Sequence, residues 1–114
     1  MILGVGIEAV EISRFKKAIE RRGERLVGRL FTKGEIAWCN SQRRPEVHLS
    51  ARFAAKVSLF KALGRTLRFK DVEVVKDALG RPSFRGSALG ADSITLSMTH
   101  DAGVSLAQTI VETR

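Results

Sequence analysis

The chain has 114 residues, 44% of them hydrophobic and 28% charged, with a net charge of +8 and a single cysteine. That length suits one domain with a true core and is short for two. No apolar run nears the roughly 20 residues of a membrane span, no basic-then-apolar leader is visible, and one cysteine excludes an internal disulfide, so a cytoplasmic setting is expected.

Residues 2–8 alternate with period two, which predicts a strand with Leu3, Val5 and Ile7 on an apolar core face and Gly4, Gly6 and Glu8 on the other. Glycine weakens a strand unless another backbone must come close. The second face is therefore expected under a tightly packed helix or beside a ligand. Ser13 is the expected N-cap of a helix that carries Ile12, Phe15, Ile19 and Leu26 at helical spacing, with Gly23 ending or interrupting it. Its outer face holds Arg14, Lys16, Lys17, Arg21, Arg22 and Arg25. Thr32 and Glu35 read as a capping box that opens a short helix through Trp38 and Cys39.

Pro45 suits the first turn of the longest helix, 46–63, which puts Leu49, Phe53, Val57 and Phe60 on one stripe and Arg52, Lys56 and Lys61 beside it. Gly64 is its expected C-terminal cap. Residues 71–75, 93–99 and 104–111 are rich in β-branched residues and predict strands, with turns at "DALGRP" and "HDAG" and a short helix or loop in "GSALGAD". The sum is one α+β domain, an antiparallel sheet packed against a long helix. Charge is polarised along it: residues 1–70 hold 16 Lys/Arg against 6 Asp/Glu, residues 71–114 hold 4 against 6. One face is thus expected to attract an acidic partner.

No Ser-His-Asp arrangement, P-loop or zinc spacing is present, and Cys39 with His48 and His100 carries no specificity on its own. Five blocks, however, occur in order over nearly the whole chain: "GVGIEAVEISRF", "FTKGEIAWC", "ARFAAKVSLFKALG", "GRPSF" and "ITLSMTHDAGVSLAQTIV". Together they resemble the holo-acyl-carrier-protein synthases. The resemblance implies a small cytoplasmic phosphopantetheinyl transferase, homotrimeric, with active sites between subunits. It implies transfer of 4′-phosphopantetheine from coenzyme A to a serine of apo acyl carrier protein, releasing adenosine 3′,5′-bisphosphate, with Mg²⁺ or Mn²⁺ bridging carboxylates and the diphosphate. Catalytic positions carried over are Glu8, Lys61 and His100. Coenzyme A falls to Arg52, Lys56, Lys61, Gly80, Arg81, Pro82 and His100, with Arg52 and Lys56 able instead to stabilise a subunit interface. Carrier-protein docking falls to Arg14, Arg21 and Arg25, and Asp101 is placed to orient His100.

Two positions depart from the family. Its first-strand metal ligand is Asp where this chain has Glu8, and its helix ligand is Glu where this chain has Val57, which has no ligating atom. Mg²⁺ demands near-ideal oxygen geometry, so a weakened or absent metal is expected. Glu11 lies beyond the strand end and is no obvious substitute, and Glu35 is explained by its cap. Two rivals stand beside this reading. One is a non-catalytic homologue that binds coenzyme A or carrier protein. The other is a basic nucleic-acid-binding domain, supported by a pI near 10.6 but opposed by 6% aromatics and no tyrosine.

Overall fold

In a computed structural model that describes residues 1–114, the chain opens with strand β1 (Ile2–Glu11) and runs into α1 (Ile12–Arg22), α2 (Glu24–Leu30), α3 (Lys33–Asn40) and α4 (Pro45–Leu63). Strands β2 (Glu73–Lys76), β3 (Pro82–Arg85), β4 (Ser93–Asp101) and β5 (Val104–Glu112) follow, with short 3₁₀ turns at Phe69–Asp71 and Ser87–Leu89. The main sheet is antiparallel with order β1-β5-β4, and β2 and β3 form a separate two-stranded ribbon.

The helix ends obey local chemistry. At the start of α3 the Thr32 hydroxyl accepts from the Glu35 backbone N–H at 3.2 Å while Glu35 accepts from the Thr32 N–H at 2.8 Å. Pro45 occupies the first turn of α4, and Gly64 closes it with φ 72°, a left-handed conformation natural to glycine. Gly23, at φ 70°, separates α1 from α2. The Ser13 cap does not form: α1 begins two residues earlier, Glu11 stands at its N-cap position, and the Ser13 hydroxyl donates to the Glu11 carboxylate at 2.8 Å.

The two faces of β1 are the reverse of the expected core arrangement. Leu3, Val5 and Ile7 are 52%, 51% and 53% exposed, whereas Gly6 is buried. The glycine face lies against α4, as its composition implied. A Cβ on Gly4 would fall 1.9 Å from the Ala62 carbonyl oxygen, and one on Gly6 1.9 Å from that of Ser58. Backbone thus meets backbone, and the apolar side chains are left on the outer surface. The same seam continues on β5, where the Ser50 and Ser105 hydroxyls meet at 2.8 Å and those of Ser58 and Thr109 at 2.7 Å. Ala54, Ala55, Val74, Leu96 and Ala107 form the core between α4 and the strands. A second cluster of Phe15, Phe31, Cys39 and Leu49 holds the helices together.

β3 lies outside the three expected strands of this half of the chain. The "DALGRP" turn closes a hairpin onto it, with the Asp77 carboxylate accepting from the Leu79 and Arg81 backbone N–H groups, both at 2.9 Å.

Candidate active site

At the C-terminal end of α4, Lys61 reaches across β1. Its ammonium donates to the Glu8 carboxylate at 3.1 Å and to the Ile7 carbonyl at 3.0 Å. The pair is open to solvent, Lys61 more than half exposed and Glu8 about a quarter. Val57 lies one helical turn before Lys61, and with Phe60, Arg65 and Phe69 they line a hollow of about 460 Å³. Glu8 borders a second groove of about 540 Å³ whose charged lining is Glu11, Arg14, Arg21 and Arg22. Arg25 lies past the Gly23 break, on α2, and is exposed.

His100, Arg81 and Arg52 sit elsewhere. Glu8 pairs with Ala107 and through it lies level with Met98, whereas His100 pairs with Ser105 and lies level with Val10. Glu8 and His100 are therefore two strands and two residues apart, about 12 Å by ordinary sheet spacings. His100 is exposed and faces a hollow of about 780 Å³ bordered by Glu11, Lys16, Arg44 and Glu46. Asp101 makes no hydrogen bond to it; successive strand residues point to opposite faces, so the expected orienting contact does not form. Gly80, at φ 81°, Arg81 and Pro82 form the hairpin turn, with the Arg81 guanidinium 3.2 Å from the Asp77 carboxylate. Arg81 and Pro82 border a further hollow of about 430 Å³ together with Ile94, Leu96 and Met98 of β4. No one cleft collects Glu8, Lys61 and His100: Glu8 with Lys61 stands at the β1 edge of the main sheet and His100 on the opposite edge strand β4, while Arg81 borders a hollow of its own beside β4.

Lys56 does not face a ligand. It is fully buried, and its ammonium donates to the Glu35 carboxylate at 2.7 Å and to the Leu30 and Phe69 carbonyls at 2.8 Å. All three of its protons are committed, and the other Glu35 oxygen accepts the Val74 N–H at 2.8 Å. This assignment to coenzyme A is therefore withdrawn: burial explains it, because a lysine ammonium enters a core only when fully paired. Burial also pushes the Lys56 pKa below its ordinary value, while Glu35 opposes the shift. Cys39 is buried, and the loss of solvent raises its thiol to about 11, which makes it no nucleophile at neutral pH.

Arg52 is 2% exposed with its guanidinium 4.3 Å from the Trp38 ring centroid, and its Nε has no hydrogen-bond partner. Lys76 stands 5.1 Å from the same ring, and His48 packs edge-on to it at 5.1 Å. Burial, then Arg52 and Lys76, hold the His48 pKa below its ordinary value. This cationic cluster around an indole was absent from the sequence reading. Part of the signal was there: His48 and Arg52 are four residues apart, which places them on one flank of α4.

The residues present do not fit a divalent cation. The one carboxylate at the Lys61 centre is engaged by an ammonium, Val57 supplies no donor, and no group of three or more His, Cys, Asp and Glu side chains converges anywhere in the chain. The surroundings of Glu8 are cationic, which disfavours a second positive ion.

Comparison with known proteins places this arrangement. The family described as the 4′-phosphopantetheinyl transferase superfamily matches residues 4–109. The holo-[acyl-carrier-protein] synthase of Geobacter sp. (strain M21) is 42% identical over 126 residues, covering 98% of this chain and 99% of that protein. The enzyme of that name from Streptomyces coelicolor is 42% identical over 121 residues, covering 97% and 98%. Among solved structures, the Neisseria meningitidis holo-[acyl-carrier-protein] synthase superposes with a TM-score of 0.90 at 29% identity, covering 98% and 99% of the two chains. A Bacillus anthracis holo-(acyl-carrier-protein) synthase in complex with CoA (3′,5′-ADP) gives 0.87 at 29%, covering 100% and 99%. The ordered motifs, the glycine-faced strand beneath α4 and similarity along the whole length agree, and the chain belongs to the 4′-phosphopantetheinyl transferase superfamily.

Proposed function

We propose that this chain is a holo-acyl-carrier-protein synthase, transferring 4′-phosphopantetheine from coenzyme A to a serine of apo acyl carrier protein. The observation that carries this is full-length similarity, 42% over 98% of the chain, to a protein of that name. In the reaction the serine oxygen forms a bond to the β-phosphorus of coenzyme A. The bond from that phosphorus to the bridging oxygen breaks, its electron pair leaves with adenosine 3′,5′-bisphosphate, and the serine proton passes to water. Such transfers depend on positioning and charge neutralisation more than on a potent protein nucleophile. Lys61 is the cation for the diphosphate. His100, Gly80, Arg81 and Pro82 hold the nucleotide end, while Arg52 is buried against the Trp38 ring. Exposed Arg14, Arg21 and Arg25 steer an acidic carrier protein.

We place the complete site between copies of the chain, in a homotrimer. Two features support this: half-sites at opposite sheet edges, and an exposed apolar face of Leu3, Val5 and Ile7 on β1 that continues into half-buried Leu106 and Ile110 on β5. Exposed apolar patches of this kind mark association surfaces. We assign the protein to the cytoplasm, where carrier proteins are charged; no helix is long and apolar enough to cross a membrane.

Mass spectrometry of apo carrier protein incubated with this chain and coenzyme A tests the proposal. The carrier should gain the mass of one phosphopantetheine. Tight coenzyme A binding with no mass gain selects the non-catalytic reading. A salt-dependent shift with RNA or DNA and no coenzyme A binding selects the nucleic-acid reading.

A further inference from the structure

The centre of the proposed reaction carries a donor set unlike that of a metal site. Mg²⁺ and Mn²⁺ are bound through carboxylates, phosphate oxygens and water in octahedral geometry. Here the Glu8 carboxylate is held by the Lys61 ammonium at 3.1 Å, and that ammonium is fixed a second time by the Ile7 carbonyl at 3.0 Å. One turn back on α4, Val57 offers methyl groups in the same hollow. The other charged groups lining the Glu8 groove are Arg14, Arg21 and Arg22 of α1 and Glu11 at the end of β1, whose carboxylate accepts from the Ser13 hydroxyl. Glu8 and Glu11 thus share their groove with three exposed arginines, and the Lys61 ammonium reaches Glu8 from the neighbouring hollow, four cationic groups against two carboxylates. A dication entering this groove is repelled, whereas the diphosphate of coenzyme A is attracted.

We propose that in this chain the Lys61 ammonium, positioned by Glu8, offsets the diphosphate charge in place of a divalent cation, so that transfer proceeds without Mg²⁺ or Mn²⁺. This rests on the transferase reading above. Bond changes are those already given: the serine oxygen bonds to the β-phosphorus and the bridging oxygen leaves with its electron pair. The ammonium lies beside that oxygen as its negative charge grows. A preorganised cation of this kind is effective because it needs no reorganisation during the reaction. Glu8 is then a positioning residue for Lys61 and not a metal ligand, and Val57 dries one side of the ammonium.

The test has two arms. In the first, carrier-protein modification is followed in excess EDTA and in millimolar Mg²⁺ or Mn²⁺. The rates should agree within about twofold. Glu8→Gln, which still accepts from the ammonium, should keep about a tenth to a third of the rate, while Glu8→Ala should lose roughly a hundredfold. A carboxylate that binds metal would leave Gln as inactive as Ala. In the second arm, calorimetry measures coenzyme A affinity with EDTA and with Mg²⁺, and electron paramagnetic resonance measures Mn²⁺ bound to protein plus coenzyme A against coenzyme A alone. Equal affinities and no additional bound Mn²⁺ support the proposal. Transfer abolished by EDTA and restored by metal overturns it while leaving the transferase reading intact. Absence of transfer in every condition overturns the transferase reading and the proposal that rests on it, and additional Mn²⁺ bound in the presence of protein, or metal-dependent coenzyme A binding, overturns the proposal alone.

Discussion

Arg52, Lys56 and Lys61 follow one another along α4, yet the three side chains meet three environments: an indole face, a closed ion pair and an open carboxylate. Lys56 and Glu35 are both fully buried, so removing one leaves the other unpaired out of water. Lys56→Met should lower stability by about 3–5 kcal/mol, read from urea denaturation. Glu73 is different in kind. The Thr32 hydroxyl donates to its carboxylate, Arg85 pairs with the other oxygen, and together they hold its pKa below the ordinary 4.5. The folded value lies beneath the unfolded one, so the stability it adds is complete above about pH 4.5 and is lost as pH falls below that. Glu73→Gln should flatten the acid side of the stability profile, measured by thermal melts between pH 3 and 7. Cys39, with its thiol raised to about 11, should resist iodoacetamide at neutral pH in the folded protein and react at once in urea. Charge and side-chain type were legible here, but partners were not. Lys56 and Lys61 look alike in sequence because burial is decided by the end of α2, by α3 and by the Phe69 turn, whose contacting residues are 13 to 26 positions away.

Elements whose boundaries depend on neighbouring residues were read well from the sequence. The Thr32–Glu35 box, Pro45 and Gly64 each act within one helical turn, and each appears where local chemistry put it. The alternation of β1 was equally plain, but its polarity was not. Side-chain hydrophobicity pointed Leu3, Val5 and Ile7 inward, and the α4 backbone claimed the glycine face instead. A close approach between helix and strand costs the sheet its side chains on that face. It is favoured because the serine and threonine hydroxyl pairs and small alanines of the seam fill the remaining space. Gly6→Ala forces α4 outward against the Ser58 carbonyl. It should destabilise the fold by about 1–3 kcal/mol or more, seen as a lower melting temperature. The short β3 strand escaped because four residues carry little periodicity and its pairing is set by the Asp77 turn.

For the molecule entire, the motif order pointed to candidate residues without saying which of them meet. Lys61 with Glu8 and His100 with Arg81 occupy opposite sheet edges, a fact that only the strand register reveals. In the proposed trimer the site is completed between copies, and a chain lacking one half should be rescued by a chain lacking the other. Mixing inactive Lys61→Ala and His100→Ala proteins under conditions that allow subunit exchange should restore a measurable share of the wild-type rate, assayed by carrier-protein mass. Val5→Glu on the outer face of β1 should convert the assembly to monomers in sedimentation velocity and remove activity while leaving the monomer folded. In that proposed assembly the separation of the two half-sites also makes dilution act as an inhibitor. Rate per milligram should fall once the protein is thinned below the point where copies part, and velocity should climb more steeply than the first power of enzyme added. A cell could therefore throttle this step through how much of the chain it makes, with no effector needed.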